Sequence, residues 1–480
     1  METSKAAKYT TAFIVITSLF FMWGFITCLN DILIPYVKKV FDLTRTGSML
    51  VQFAFFMAYF IGAFIYFIIS STSGDPILKI GYKKGIITGL LLSAIGCAIF
   101  YPAAEIKVYW LFLTALFVLG LGFTLLQIAA NPYVAILGPS ETASSRLNLS
   151  QGFNSFGTTI APIIGGYLIF HYFAKMGEPL LNKMGQPILN DSGEAISSLG
   201  VQLPYLIFAG IFVLLAFVIS ITKLPRFNEG EQVEKGVGAL KYRHLVLGMI
   251  AIFMYVGAEV SIGSSFINYT NENLGYPEML AKSFLAFYWG GAMIGRFLGA
   301  ISLGNMKNQI VKGIIMIGLA FSAFFLVYSI VYIESLNGFP IRNVLPFLII
   351  IVVNFIAFMI GRSLPHRTLM IFALIAVGLL AAAMITSGIY SMWTLIAVGI
   401  FNSIMWSNIF TLAIKDLGKY TSQGSSLLVM MILGGALLPM LQGLTADAMN
   451  GYHYSYFVPL LAYVYLAFYG WKGYKVIIKN

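Results

Sequence analysis

Charged side chains are scarce in the long apolar stretches of this sequence. Charged residues make up 10% of the 480 residues, whereas 59% are hydrophobic. Only Asp31, Glu259 and Arg296 interrupt the apolar runs. A charge at bilayer depth costs about 2.5–3.5 kcal/mol on insertion scales, so such residues usually face a cavity or a partner. These three residues are therefore the first candidates for a functional role.

Cysteine and histidine are also rare, which limits the chemistry that the chain can carry. The chain has 2 cysteines and 4 histidines, and Cys28 and Cys97 are too few for a disulfide framework or a zinc site. The histidines are isolated, and no cluster of His, Asp and Ser marks a catalytic centre. We therefore predict that the chain is not an enzyme and that it binds no cofactor other than a coupling ion.

Apolar runs recur almost from end to end, and the mean hydropathy is +0.87. A spanning helix needs about 20 predominantly apolar residues, and we count about fourteen such segments. The predicted fold class is therefore an all-α polytopic membrane protein, embedded in the lipid bilayer. The net charge of +11 is then explained by basic loops on the cytoplasmic side, and nucleic-acid binding is not expected.

Lysine and arginine are distributed unequally between alternate loops. With fourteen spans, 20 of the 29 basic residues lie on one side and 8 on the other, Arg296 being inside a span. Basic residues concentrate in cytoplasmic loops, and an even number of spans places both termini on the same side. The sequence predicts a multi-pass protein of the bacterial inner membrane with both termini in the cytoplasm.

The two parts of the chain repeat each other weakly. Phe21-Met22-Trp23 resembles Phe253-Met254-Tyr255 at an offset of 232 residues, whereas Pro162 resembles Pro439 at an offset of 277. The larger offset indicates an insertion of about two helices in the second part. We predict a first six-helix half at residues 1–223, a cytoplasmic linker at 224–243 and a second half at 244–480. The second half contains an inserted helical pair at about 308–362.

The repeat of two six-helix halves is the architecture of major facilitator transporters. Several short sequence strings indicate one family among these transporters. They are WGF at 23–25, LNDIL at 29–33, QIAANPY at 127–133, RLNLSQ at 146–151, FNSFG at 153–157, YVGAEV at 255–260, GRF at 295–297, FNSIMW at 401–406 and GGALLP at 434–439. Together they resemble the fucose–galactose–glucose:H⁺ symporter family, and its glucose/galactose transporters most of all. The fucose branch has Glu at the position of Gln127, and it commonly has Pro-Thr where Ser407-Asn408 stand here.

The resemblance implies that Asp31 carries the coupled proton. A carboxyl that moves between dry and hydrated surroundings can bind a proton on one side of the membrane and release it on the other. Glu259 is a second candidate for this role. Neutral amides suit sugar hydroxyls, and Gln127 lies one helical turn from Asn131 on the same face. The predicted sugar-binding amides are Asn30, Gln127, Asn131, Gln151, Asn154 and Asn402.

Two tryptophans and one charge pair complete the predicted set. Trp289 and Trp406 lie inside spans, where an indole ring can stack on a sugar or pack in the core. Glu259 and Arg296 fall in consecutive spans. Because an unpaired charge in the membrane is costly, they are also candidates for a structural charge pair.

We therefore expect a monomeric secondary active transporter that imports a neutral hexose, glucose or galactose, by cation symport with H⁺. Na⁺-coupled or uncoupled hexose transport and a fucose or N-acetylglucosamine permease are the alternatives. A sensor would need a signalling domain, and drug efflux would favour a more apolar cavity than these amides provide. The inserted pair is expected on the outside of the second half, away from the substrate path.

Overall fold

The computed structural model describes residues 2–43, 45–182, 184–190, 193–225, 227, 235–335 and 338–476, except for the side chains at 2–9, 30–32, 35 and 45–49. Helices dominate because backbone groups in a bilayer must be hydrogen-bonded within the protein. Within the described residues, thirteen helices are long and apolar enough to cross a membrane.

The last predicted span is also helical, although it is less apolar. A 3-10 turn at Tyr454–Tyr456, an α-helix at Phe457–Phe468 and a π-helix at Tyr469–Gly473 follow one another directly. Its tyrosines lower its mean hydropathy. All fourteen predicted segments therefore contain helix, and the predicted all-α polytopic fold class is confirmed.

The chain divides into two compact units. The first comprises Met1–Tyr133 and Phe156–Lys235, and the second comprises Val134–Ser155 and Gly236–Asn480. The predicted boundary lay only in the linker at 224–243. The structure adds that the segment 134–155, which belongs to the first half of the repeat, packs as part of the second unit.

The described residues before the linker form seven α-helices. They are α1 (Glu2–Val40), α2 (Arg45–Ser73), α3 (Pro76–Ile80), α4 (Tyr82–Ile106), α5 (Tyr109–Ile136), α6 (Ala143–Tyr167) and α7 (Leu199–Ile221).

Polar side chains hydrogen-bond to the backbone at two helix ends of the first unit, the start of α3 and the end of α7. Buried Asp75 begins α3 and accepts hydrogen bonds from the backbone N–H groups of Ile77 and Leu78, at 2.9 and 3.2 Å. Lys83 Nζ donates to the carbonyls of Ser220 and Thr222, at 2.7 and 2.9 Å, and so satisfies the end of α7. A cation at a helix C-terminus is stabilised by the carbonyl groups there.

The described part of the loop between α6 and α7 contains regular backbone hydrogen bonds. LNKMGQPI at 181–188 and LNDSGEAI at 189–196 repeat an eight-residue pattern. The N–H of Ile188 donates to the carbonyl of Leu180, that of Ile196 to Ile188, and that of Leu180 to Ile196. These three bonds form a closed ring, which we call the loop ring. Lys39 Nζ at the end of α1 donates to the carbonyl of Leu189 at 2.9 Å.

After the linker, the part of the chain that the structure describes contains ten α-helices. They are α8 (Arg243–Leu274), α9 (Glu278–Ser302), α10 (Gln309–Glu334), α11 (Leu345–Gly361), α12 (Pro365–Ile385), α13 (Gly388–Asn402), α14 (Met405–Ala413), α15 (Thr421–Met430), α16 (Gly434–Ala448) and α17 (Phe457–Phe468).

The predicted inserted pair consists of α10 and α11. Helix α10 packs on α9, and α11 packs on α12 and α13. Large apolar side chains remain exposed on both helices, including Ile314 and Phe325 on α10 and Ile349 on α11. Buried Lys312 anchors α10, because its Nζ donates to the carbonyl of Ser302 at 2.6 Å. The pair thus lies on the periphery of the second unit.

Two spans of the second unit are interrupted. One breaks between α13 and α14, at Ser403 and Ile404, and the other passes through a 3-10 turn at Met431–Leu433 between α15 and α16. Gly434 follows the second break, and a Cβ atom there would collide with the carbonyl oxygen of Phe253 on α8. Glycine therefore permits the close approach of α16 to α8.

Candidate functional site

Glu259 and Arg296 lie together inside the second unit. Glu259 on α8 and Arg296 on α9 bring Oε1 and Nη2 to 3.9 Å, and both side chains are largely buried. The hydroxyl of Tyr255, one turn before Glu259, donates to the same Oε1 at 2.8 Å. The carboxylate is therefore stabilised by a close hydroxyl donor and by a more distant cation.

Asn402 is held at both ends of its amide. Its Nδ2 donates to the hydroxyl of Tyr288 at 2.8 Å, and its Oδ1 accepts from the hydroxyl of Tyr463 at 2.5 Å. Tyr288 also donates to the backbone carbonyl of Glu259 at 2.9 Å. We call Tyr255, Glu259, Tyr288, Arg296, Asn402 and Tyr463 the polar cluster. It joins α8, α9, α13 and α17.

Arg296 also supports the break between α13 and α14. Its Nε donates to the carbonyl of Ser403 at 3.3 Å, and its Nη1 hydrogen-bonds to the hydroxyl of Ser155 on α6. A carbonyl left without its helical partner in the membrane needs another donor. The guanidinium supplies this donor and places a fixed positive charge at the break.

In the first unit, Gln127 and Asn131 are both buried on α5. Tyr59 on α2 forms side-chain hydrogen bonds with Gln127 and Trp23. Gln127 thus has an interhelical partner as well as its predicted sugar-binding role. Asn30 and Asp31 fall within α1, but their side chains lie outside the described residues.

The other predicted binding residues belong to the second unit. Gln151 is buried and Asn154 is half-buried, and both lie on the part of α6 that precedes the unit boundary. Trp406 is buried and stacks on Phe410, with ring centroids 6.1 Å apart. Trp289 is 42% exposed and covers Gly263 of α8. Their sugar-binding roles stay predictions.

Sequence reasoning missed the three tyrosines of the polar cluster and Ser403. Tyr288 and Tyr463 lie in different spans from Asn402, separated from it by 114 and 61 residues. Helical periodicity relates residues three or four positions apart, so it gave no signal for these contacts. Tyr255 does lie at such a spacing from Glu259, and that i, i+4 relation could have identified it.

The spans and the buried polar groups among them define a multi-span helical membrane protein. The family model described as Major Facilitator Superfamily matches residues 12–360. The chain is 42% identical over 479 residues to the glucose/galactose transporter of Brucella abortus (strain 9-941), covering 99% of this chain and 97% of that protein. It is 32% identical over 470 residues to the L-fucose-proton symporter of Escherichia coli K12, covering 96% and 93%.

A solved structure agrees with these relatives. The crystal structure of the E. coli fucose:proton symporter FucP matches with a TM-score of 0.74 at 30% identity, covering 97% of this chain and 99% of that one. The chain therefore belongs to the Major Facilitator Superfamily and, within it, to the fucose–galactose–glucose:H⁺ symporter family that its motifs resemble. The prediction that it is not an enzyme is confirmed by this membership.

Proposed function

We propose that this chain is a secondary active transporter that imports a neutral hexose, glucose or galactose, together with protons. The higher identity to a glucose/galactose transporter than to a fucose-proton symporter supports this choice of sugar. We further propose that the chain acts as a monomer in the bacterial inner membrane, with both termini in the cytoplasm.

The contact between Glu259 and Arg296 carries the proposal for the coupling residue. Three charges interrupt the apolar stretches, and the 3.9 Å approach of Glu259 to Arg296 allows these two to neutralise each other. Protonation of Glu259 would leave the buried cation of Arg296 without its counter-ion, which is costly. Asp31 is the remaining carboxyl, and we assign proton coupling to it, with Glu259 as the second candidate.

The break between α13 and α14 favours protons over Na⁺. In several transporters, the carbonyls of interrupted helices coordinate Na⁺. Here the carbonyl of Ser403 accepts a hydrogen bond from Arg296, and the guanidinium charge would repel a second cation at that point. Na⁺-coupled or uncoupled transport remains the competing function.

Sugar-induced pH change tests this proposal. Cells expressing the protein, in weakly buffered medium without Na⁺, receive glucose, galactose, fucose or N-acetylglucosamine. We expect alkalinisation of the medium with glucose or galactose, its loss in Asp31→Asn, and retained exchange of labelled sugar in that variant. Glu278→Gln is the matched control, because Glu278 is exposed and pairs with Lys282 one turn away.

Two results would contradict the proposal in different ways. Uptake of labelled galactose without any pH change would exclude proton symport. Loss of the pH change in Glu259→Gln but not in Asp31→Asn would move the coupling role to Glu259.

A further inference from the structure

A cavity of about 530 Å³ opens where the end of α8 meets the segment between α16 and α17. This volume lies in the range of small-molecule binding sites, about 300–1,000 Å³. The cavity is separate from the polar cluster, because Glu272 lies thirteen residues beyond Glu259 on α8, or about 20 Å along the helix axis. It is lined by Glu272, Asn273, Ala446, Asp447 and residues 449–454.

Hydrogen bonds hold two aromatic side chains that line this cavity, those of Tyr452 and His453. Glu272 Oε2 accepts from the backbone N–H of Tyr452 at 3.3 Å, and Asn268 Nδ2 donates to the Tyr452 hydroxyl at 3.4 Å. His453 Nε2 lies 2.9 Å from the carbonyl of Met384, and its ring stacks on Tyr269 with centroids 6.1 Å apart. The rings are therefore oriented before any ligand arrives, which lowers the entropic cost of binding.

The lining of the cavity restricts the class of ligand. It contains the carboxylates of Glu272 and Asp447, and none of the described lining residues is Lys or Arg, so an anion would be repelled. Ala446 and Met449 are the only aliphatic side chains among them, which disfavours an apolar ligand. Among the residues that the structure describes, no group of three His, Cys, Asp or Glu is placed to hold a metal ion.

A neutral polyhydroxylated molecule fits the chemistry that remains. Carboxylates accept hydrogen bonds from hydroxyl groups, and the amides of Asn273 and Asn450 can both donate and accept. The face of an aromatic ring such as that of Tyr452 offers a flat apolar surface to the C–H face of a sugar ring. Glu272 and Asp447 stand on different helices, so they can contact separate hydroxyls of one ring.

We propose that this cavity is an outer binding site for the transported hexose, additional to the site at which transport occurs. The inference rests on the proposed function, since it takes the substrate class from there. The outer site holds the sugar at the end of α8 remote from the linker and raises its local concentration before it enters the transport path.

Equilibrium binding of radiolabelled D-galactose to the purified full-length chain tests the proposal. We expect two binding components in the wild type. Asp447→Ala should weaken one of them about tenfold, as expected for losing one hydrogen bond to a charged group. Gln127→Ala should weaken the other. Asp447 is exposed, so its replacement does not open a cavity in the core, and Glu278→Gln serves as the matched exposed control.

Uptake kinetics supply a second readout. Asp447→Ala should raise KM several-fold and leave kcat unchanged, whereas a variant that misfolds would lower kcat through loss of active protein. Tyr452→Phe keeps the ring and loses only the contact with Asn268, so it should retain most of the binding.

Each of the following outcomes would overturn the inference. A single binding component in the wild type, unchanged in Asp447→Ala while galactose is still transported, would exclude the outer site and leave the proposed function intact. Displacement of the Asp447-dependent component by choline but not by glucose would identify an organic-cation site instead. Absence of any hexose binding or transport by the folded wild type would refute the proposed function, and this inference with it.

Discussion

Individual polar side chains inside the second unit depend on partners contributed by other spans. The sequence predicted that Glu259 and Arg296 could pair, because consecutive spans are often neighbours, and the structure places their atoms 3.9 Å apart. It also predicted Asn402 as a sugar ligand, but both ends of its amide already bind tyrosines. The partners of a buried amide in distant spans are set by tertiary packing, which local spacing does not encode.

Removing one member of the charge pair should destabilise the protein more than removing both. Arg296→Gln leaves the buried carboxylate of Glu259 without its cation, which costs about 3–5 kcal/mol in buried pairs. The double variant Glu259→Gln/Arg296→Gln should recover much of that loss. Thermal unfolding of the purified protein in detergent measures both. A loss in the double variant equal to the sum of the losses in Glu259→Gln and Arg296→Gln would show that the pair is not coupled.

Asn402→Leu should also destabilise the second unit. The hydroxyl of Tyr463 would lose its acceptor, and an unsatisfied buried polar group costs about 1–3 kcal/mol. Tyr463→Phe removes the hydroxyl itself and should cost less, near the average of about 0.6 kcal/mol for a hydrogen bond between membrane helices. The same unfolding assay compares the two. A larger loss in Tyr463→Phe than in Asn402→Leu would contradict the explanation that Asn402 satisfies the buried hydroxyl of Tyr463.

At the scale of elements, hydropathy predicted where the helices run but not where they break. The spans follow from apolar runs of sufficient length, and these are local properties of the sequence. The break at Ser403 and Ile404 contains no proline, and its carbonyl is satisfied by Arg296 from another span. The loop ring was not predicted either, because its bonds join residues eight and sixteen positions apart.

The contact between α1 and Leu189, which lies next to the loop ring, should protect the loop from proteolysis. Lys39→Met removes the bond to the carbonyl of Leu189, so the loop should open more often and be cut faster. Lys38→Met is the matched control, because Lys38 is the adjacent and more exposed lysine. Limited digestion of membrane vesicles gives the rates. Equal cleavage of the two variants would show that Lys39 does not hold the loop.

For the whole molecule, the number of crossings decides where the C-terminus lies. Thirteen of the described helices satisfy the length and hydropathy of a span. The tyrosine-rich helix from Tyr454 to Gly473 is the fourteenth predicted span. The overall fold was predictable because a bilayer sets the length of each span and requires every backbone group within it to be hydrogen-bonded, which leaves few possible structures. The grouping of 134–155 with the second unit was not, since the sequence repeat assigns that segment to the first half.

A reporter fused after Asn480 tests the fourteenth crossing. If the last helix crosses the membrane and the N-terminus has the proposed cytoplasmic location, the C-terminus also lies in the cytoplasm. A C-terminal green fluorescent protein should then fluoresce, and a C-terminal alkaline phosphatase should be inactive. A fusion ending before Tyr454 should give the reverse pattern. Identical signals from the two fusion points would contradict the crossing.

The loop ring has a practical consequence for labelling the protein, since this loop faces the outside of the cell in the proposed topology. The ring closes through Leu180, Ile188 and Ile196, so deleting one eight-residue unit would remove a member and leave its neighbours without their partners. The turns around Gly185 and Gly193 lie outside the ring, and a Cβ atom at either glycine would meet no neighbour. An epitope or a fluorophore placed beside either glycine would therefore report surface exposure while the ring stays closed.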